Sequence, residues 1–96
     1  MQISVRFFTS LRELTGKKEE KLEFPENEIV TIKNVLEGLA ERYGKSFAEY
    51  IYDGEGKVKS FLQFLINGRS ASALNGLETR LKDGDVLAII PPVGGG

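Results

Sequence analysis

An α+β fold is predicted for this chain: a mixed sheet with one main helix laid across one face. Three observations carry the prediction. Strand patterns stand at both ends, at Gln2–Phe8 and Val86–Ile90. Between them, Ile32–Tyr43 repeats its apolar residues at helical spacing. The closing strand is apolar throughout, which suits a central place in a sheet and not an edge.

The elements follow in order. In the first strand Ile3, Val5 and Phe7 share one face, while Gln2, Ser4 and Arg6 share the other. Phe8 then falls on the polar face, where an apolar ring is available to rim a partner site. Ser10 with Glu13 fits a capping box over one turn, Leu11–Leu14, and Gly16 closes it. Lys17–Phe24 is predicted as an edge strand by its lysines, hairpin-paired with the first and stopped by Pro25. Thr31 is the expected N-cap of the main helix, with Val30 and Val35 as a hydrophobic staple. Gly44 ends it.

Phe47, Tyr50 and Ile51 suit a short amphipathic turn, and Asp53–Lys57 reads as a loop. Phe61–Ile66 is an apolar run expected to form a buried strand. Asn67-Gly68 is the strongest hairpin signal in the chain, with Arg69–Ala71 starting the return. The leucines of Leu74–Leu81 are expected to tuck under the sheet, and Asp83-Gly84-Asp85 to form a tight turn. Two carboxylates in one turn lack the further ligands of a calcium loop, so no metal is assigned. In the last strand Leu87 and Ile89 face the core, leaving Ile90 to join Phe8 in an apolar patch. Setting this strand parallel to the first buries both, which is the β-grasp arrangement.

Composition narrows the chemistry. The 96 residues suffice for one core, and a net charge of −1 argues against nucleic acid or an anionic membrane as partner. No apolar run approaches a membrane span and no signal-peptide layout is present, so a cytoplasmic address is expected. The chain has no Cys or His, so it offers neither a thiol nucleophile nor a group titrating near neutrality.

What remains is the ending, Pro91-Pro92-Val93-Gly94-Gly95-Gly96. Two prolines stop the sheet, and the glycines make a thin ribbon. The expected division is therefore a domain over residues 1–90 and a tail over 91–96 that reaches roughly 20 Å when extended. Its α-carboxylate is an anion at neutral pH and a poor electrophile, so another enzyme must activate it.

Several stretches resemble the MoaD family, the small subunit of molybdopterin synthase and a group of ubiquitin-like, MoaD/ThiS-like sulfur carriers. They are Val5-Arg6-Phe7-Phe8, Leu11–Gly16, Ile66-Asn67-Gly68, Leu81–Val86 and Ile89–Gly96. The resemblance implies that an ATP-using, ubiquitin-activating-like adenylyltransferase charges Gly96. A sulfur donor then converts the carboxylate to a thiocarboxylate. The tail would enter the synthase large subunit and give its sulfur to a pterin precursor, the dithiolene made there holding molybdenum or tungsten. Gly95 and Gly96 are the implied reacting residues. Phe8, Ile90, Pro91, Pro92, Val93 and Gly94 are the implied partner contacts. The chain itself is expected to bind no cofactor and to be no enzyme on its own. The alternatives are a protein modifier joined through Gly96 to lysines, a sulfur donor for tRNA or thiazole, and an interaction domain with an inert tail.

Overall fold

The computed structural model describes residues 1–92. Along the chain come β1 (Gln2–Phe7), α1 (Ser10–Thr15), β2 (Glu19–Glu23), α2 (Ile32–Tyr43) and α3 (Lys45–Ile51). Then follow β3 (Gln63–Ile66), β4 (Arg69–Ser70), two 3-10 turns at Ala71–Ala73 and Gly76–Glu78, and β5 (Val86–Ile90). The sheet has five strands in the order β2-β1-β5-β3-β4. β5 lies parallel to β1, with Val5 beside Leu87 and Phe7 beside Ile89, and antiparallel to β3. The apolar last strand thus holds the centre, and the arrangement is the expected β-grasp.

Alternation in β1 and β5 drives this packing. Ile3, Val5, Phe7, Leu87 and Ile89 are wholly buried against Ile32, Val35, Leu36 and Leu39 of α2. Burying each such side chain contributes about 1.5–3 kcal/mol relative to leaving it in water. Phe7 meets Tyr43 and Phe47 edge-on, at centroid distances of 6.0 and 6.5 Å, and so fastens both long helices to the first strand.

The helix begins where the sequence places it. Thr31 Oγ1 accepts from the Asn34 amide at 3.3 Å, and Asn34 Oδ1 accepts from the Thr31 amide at 2.9 Å. Two of the N-terminal orphan donors are satisfied reciprocally. Val30 and Val35 are both buried there. Gly44 follows at φ 83°, which a side chain would resist, and starts α3.

The Asn67-Gly68 turn has φ of 50° and 86° at its two residues, the signature of a tight β-hairpin. It is also bracketed from across the sheet. Asn67 Nδ2 donates to Asp85 Oδ1 and Asn67 Oδ1 accepts from the Val86 amide, both at 2.9 Å. Asp85 Oδ2 accepts from the Lys82 amide at 2.7 Å, so the turn before β5 and the β3–β4 hairpin hold one another.

Four expectations are corrected. The capping box of Ser10 and Glu13 does not form: Thr9 takes the N-cap position without a side-chain bond. The Ser10 hydroxyl is instead 2.5 Å from the Tyr50 hydroxyl, joining α1 to α3. The second strand is shorter than Lys17–Phe24, because its ladder with β1 runs from Glu19 to Glu23. The third begins at Gln63, leaving Phe61 in a turn and 50% exposed. In the following connection Leu81 is buried and Leu77 packs against the core, but Leu74 stays exposed at the end of the first 3-10 turn.

Candidate functional site

The site expected from sequence centres on the end of β5, and the structure brings its described members together. Because Phe7 is the parallel partner of Ile89, the next residues, Phe8 and Ile90, leave the two central strands side by side. Both are half-buried, where the sequence led to an exposed apolar patch. Pro91 follows at once and is buried, Pro92 is half-buried, and β5 stops at Ile90 because neither proline donates to a ladder. Val93, Gly94, Gly95 and Gly96, the rest of the expected site, lie outside the described residues.

Two cations stand over the Phe8 ring. The guanidinium carbons of Arg6 and Arg12 lie 5.7 and 5.5 Å from its ring centroid. Arg12 is held there by its Nε, which donates to the Phe7 carbonyl at 3.0 Å. On the other side of β5, Gln63 is the partner of Ile90. Two residues before Gln63 stands Phe61, with Lys59 Nζ 5.9 Å from its ring centroid. Phe8, at the end of β1, thus carries two cations, and Phe61, in the turn before β3, carries one. Arg6, Arg12, Lys59 and Phe61 were not assigned to the site from sequence. For Arg6 the available signal was its i, i+2 spacing from Phe8, which sets side chains on one side of an extended chain. Lys59 and Phe61 meet across a turn and had no such signal.

Two carboxylates elsewhere are engaged in structural work. Glu20, a buried residue of β2, accepts from Tyr43 Oη at 2.5 Å and from Lys17 Nζ at 3.0 Å on one oxygen. Its other oxygen pairs with Arg42 at 2.9 Å. The Tyr43 bond is the largest influence on Glu20; desolvation opposes it, Lys17 and Arg42 add to it, and the carboxyl falls to about 2. Burial first, then Glu20, pushes the Tyr43 hydroxyl up to about 12. The group locks β2 to the end of α2. Asp85 is likewise taken up by Asn67 and the Lys82 amide. Among the described residues no cluster of three or more His, Cys, Asp or Glu side chains is arranged to hold a metal. No helix among them is long and apolar enough to cross a membrane.

Set beside known proteins, residues 5–96 match the ThiS family. The chain is 36% identical over 96 residues to small archaeal modifier protein 3 of Haloferax volcanii, covering 100% of both. It is 30% identical over 98 residues to the molybdopterin synthase sulfur carrier subunit of Drosophila yakuba, covering 100% of this chain and 92% of that one. In structure it is similar to small archaeal modifier protein 1 of Methanosarcina acetivorans, with a TM-score of 0.84 and 33% identity over 99% of this chain and 96% of that one. Small ubiquitin-like proteins of sulfur transfer and protein modification thus surround it on both measures. By the extent of the match, which runs from the first strand through the last glycine, the chain is a member of the ThiS family.

Proposed function

We propose that the chain is a sulfur carrier whose Gly96 carboxylate is adenylated and then converted to a thiocarboxylate, for transfer to a pterin precursor of the molybdenum or tungsten cofactor. One observation carries the reading: the family match extends through Gly96, and the sheet delivers that end from its central strand at Pro91. The chemistry follows from the residue types. The carboxylate oxygen attacks the α-phosphorus of ATP and pyrophosphate leaves. A sulfide nucleophile then adds to the acyl carbon and expels AMP. Both steps belong to partners, an adenylyltransferase and a sulfur donor, since the chain has no Cys or His to serve them. Glycines at positions 94–96 leave no side chain to obstruct a narrow active site.

The experiment supplies the thiocarboxylated chain to the large subunit of molybdopterin synthase together with the pterin precursor. Dithiolene formation is the expected result, and its absence with an active large subunit overturns this destination for the sulfur. The relation to a small archaeal modifier protein over the whole chain favours a second use of the same acyl adenylate. A lysine amine then takes the place of sulfide and forms an isopeptide bond. Lysines branched with the C-terminal peptide left by cleavage after Lys82, lost when Gly96 is deleted, are the expected signature of that use.

A further inference from the structure

The helical side of the domain holds a cleft that the chemistry of the tail leaves unused. It is an open trough of about 780 Å³ between α2, α3, the loop after α3 and the second 3-10 turn. None of its described lining residues lies in β1 or β5. The floor is apolar, formed by Ala40, Ala48, Tyr52, Val58 and Leu77, each half-buried. Alanines on both helices keep the trough open, since neither side chain reaches beyond its Cβ. The floor is also firmly held. Tyr52 and Val58 form a β-bridge, and Asp53 Oδ1 accepts from the Glu55 and Lys57 amides at 2.8 and 3.0 Å. The cleft is therefore built before anything enters it, and a partner need not order it on binding.

The rim has a sign. Glu37, Glu49, Asp53 and Glu78 stand there against Lys33 and Lys57, four carboxylates to two ammonium groups. Glu37, Glu49 and Glu78 are exposed, and neither described ion pair uses them, because both belong to Glu20. Glu37 also acts on the floor: after burial, its charge is the second influence that raises the Tyr52 hydroxyl above its ordinary value. An apolar trough edged by spare carboxylates complements a segment with apolar side chains along one face and cations along its flanks. We propose that this cleft docks a basic amphipathic segment of a partner protein, its apolar face on Leu77 and Tyr52 and its lysines or arginines on Glu37, Glu49 and Glu78. An amphipathic helix laid in a groove makes such contacts through anchors three and four residues apart. The anchors supply affinity, and the carboxylates supply orientation and rate of encounter. Because the cleft is separate from the two central strands, the proposal stands whether or not Gly96 carries sulfur.

The test selects binders to the full-length chain from an unbiased library of displayed random peptides, then titrates an enriched peptide by fluorescence anisotropy. The selected peptides are expected to combine Lys or Arg with Leu, Ile or Phe at helical spacing. Their affinity should fall between low and physiological salt. Ala48→Arg fills the floor, and Glu37→Lys with Glu78→Lys reverses the rim. Each is expected to weaken binding by about tenfold or more with the thermal unfolding transition retained. Deleting Gly95 and Gly96 should leave the affinity unchanged. Selection of no peptide, selection of acidic ones, or equal binding to wild type and Ala48→Arg overturns the proposal. So does a dimer in sedimentation that Ala48→Arg abolishes, since a second copy would then fill the cleft.

Discussion

Glu20 shows how much a single residue can depend on partners far along the chain. In the sequence it is one more charge in the run Lys17–Glu23; in the fold it is a buried acceptor for Tyr43, Lys17 and Arg42. Nothing in the run marks it, because Tyr43 is 23 residues away and the two meet only when α2 crosses the sheet. Glu20→Gln is expected to cost about 1.5–3 kcal/mol in urea unfolding, the range for a hydrogen bond to a charged group. Its pH dependence has a definite sign. A carboxyl lowered from 4.5 to about 2 on folding contributes stability that is full above 4.5 and lost as pH falls towards 2. The Gln variant should lack that acid loss. At the alkaline end Tyr43, raised from 10.0 to about 12, contributes stability that is present below 10.0 and fades as pH rises towards 12. Equal acid slopes for wild type and Glu20→Gln would show that the lock has no energetic weight.

Among the elements, α2 was the most legible because every local signal agreed: cap, staple, apolar stripe and terminal glycine. Thr31→Ala should therefore destabilise by about 0.5–2 kcal/mol, measured by chemical denaturation, with the fold retained. A change below a few tenths would mean that packing alone positions the helix. The Asn67-Gly68 hairpin was equally readable, since both residues tolerate positive φ. The short elements were not. Ser10 looked like a cap, but its hydroxyl finds Tyr50, 40 residues on, and no local pattern announces that contact. Phe61 belonged by composition to the strand that follows it. The backbone turns through it, however, with the Leu62 amide reaching back to the Lys59 carbonyl at 3.3 Å.

For the whole molecule, the topology could be argued before it was seen. An apolar strand at the end of the chain is ill suited to a sheet edge, and the place beside β1 flanks it with a strand on each side. Phe8, Ile90, Pro91 and Pro92 were readable as a group for the same reason, because they cap the two parallel strands. The cations over Phe8 and Phe61 were not, since beyond the Arg6–Phe8 spacing no local pattern announces those contacts. A scaffold built this way should be indifferent to its last residues. Deleting Gly95 and Gly96 is expected to leave the unfolding midpoint unchanged and to abolish charging by the adenylating enzyme. A large loss of stability would mean that those residues help to hold the fold.

The central claim is that Gly96 carries sulfur, and the intact mass of the protein tests it most directly. The full-length chain is incubated with its adenylating enzyme, ATP and a sulfide source. The expected spectrum shows one oxygen replaced by one sulfur, localised to Gly96 by fragmentation. A C-terminus that remains a carboxylate while the enzyme consumes ATP on it would contradict the account.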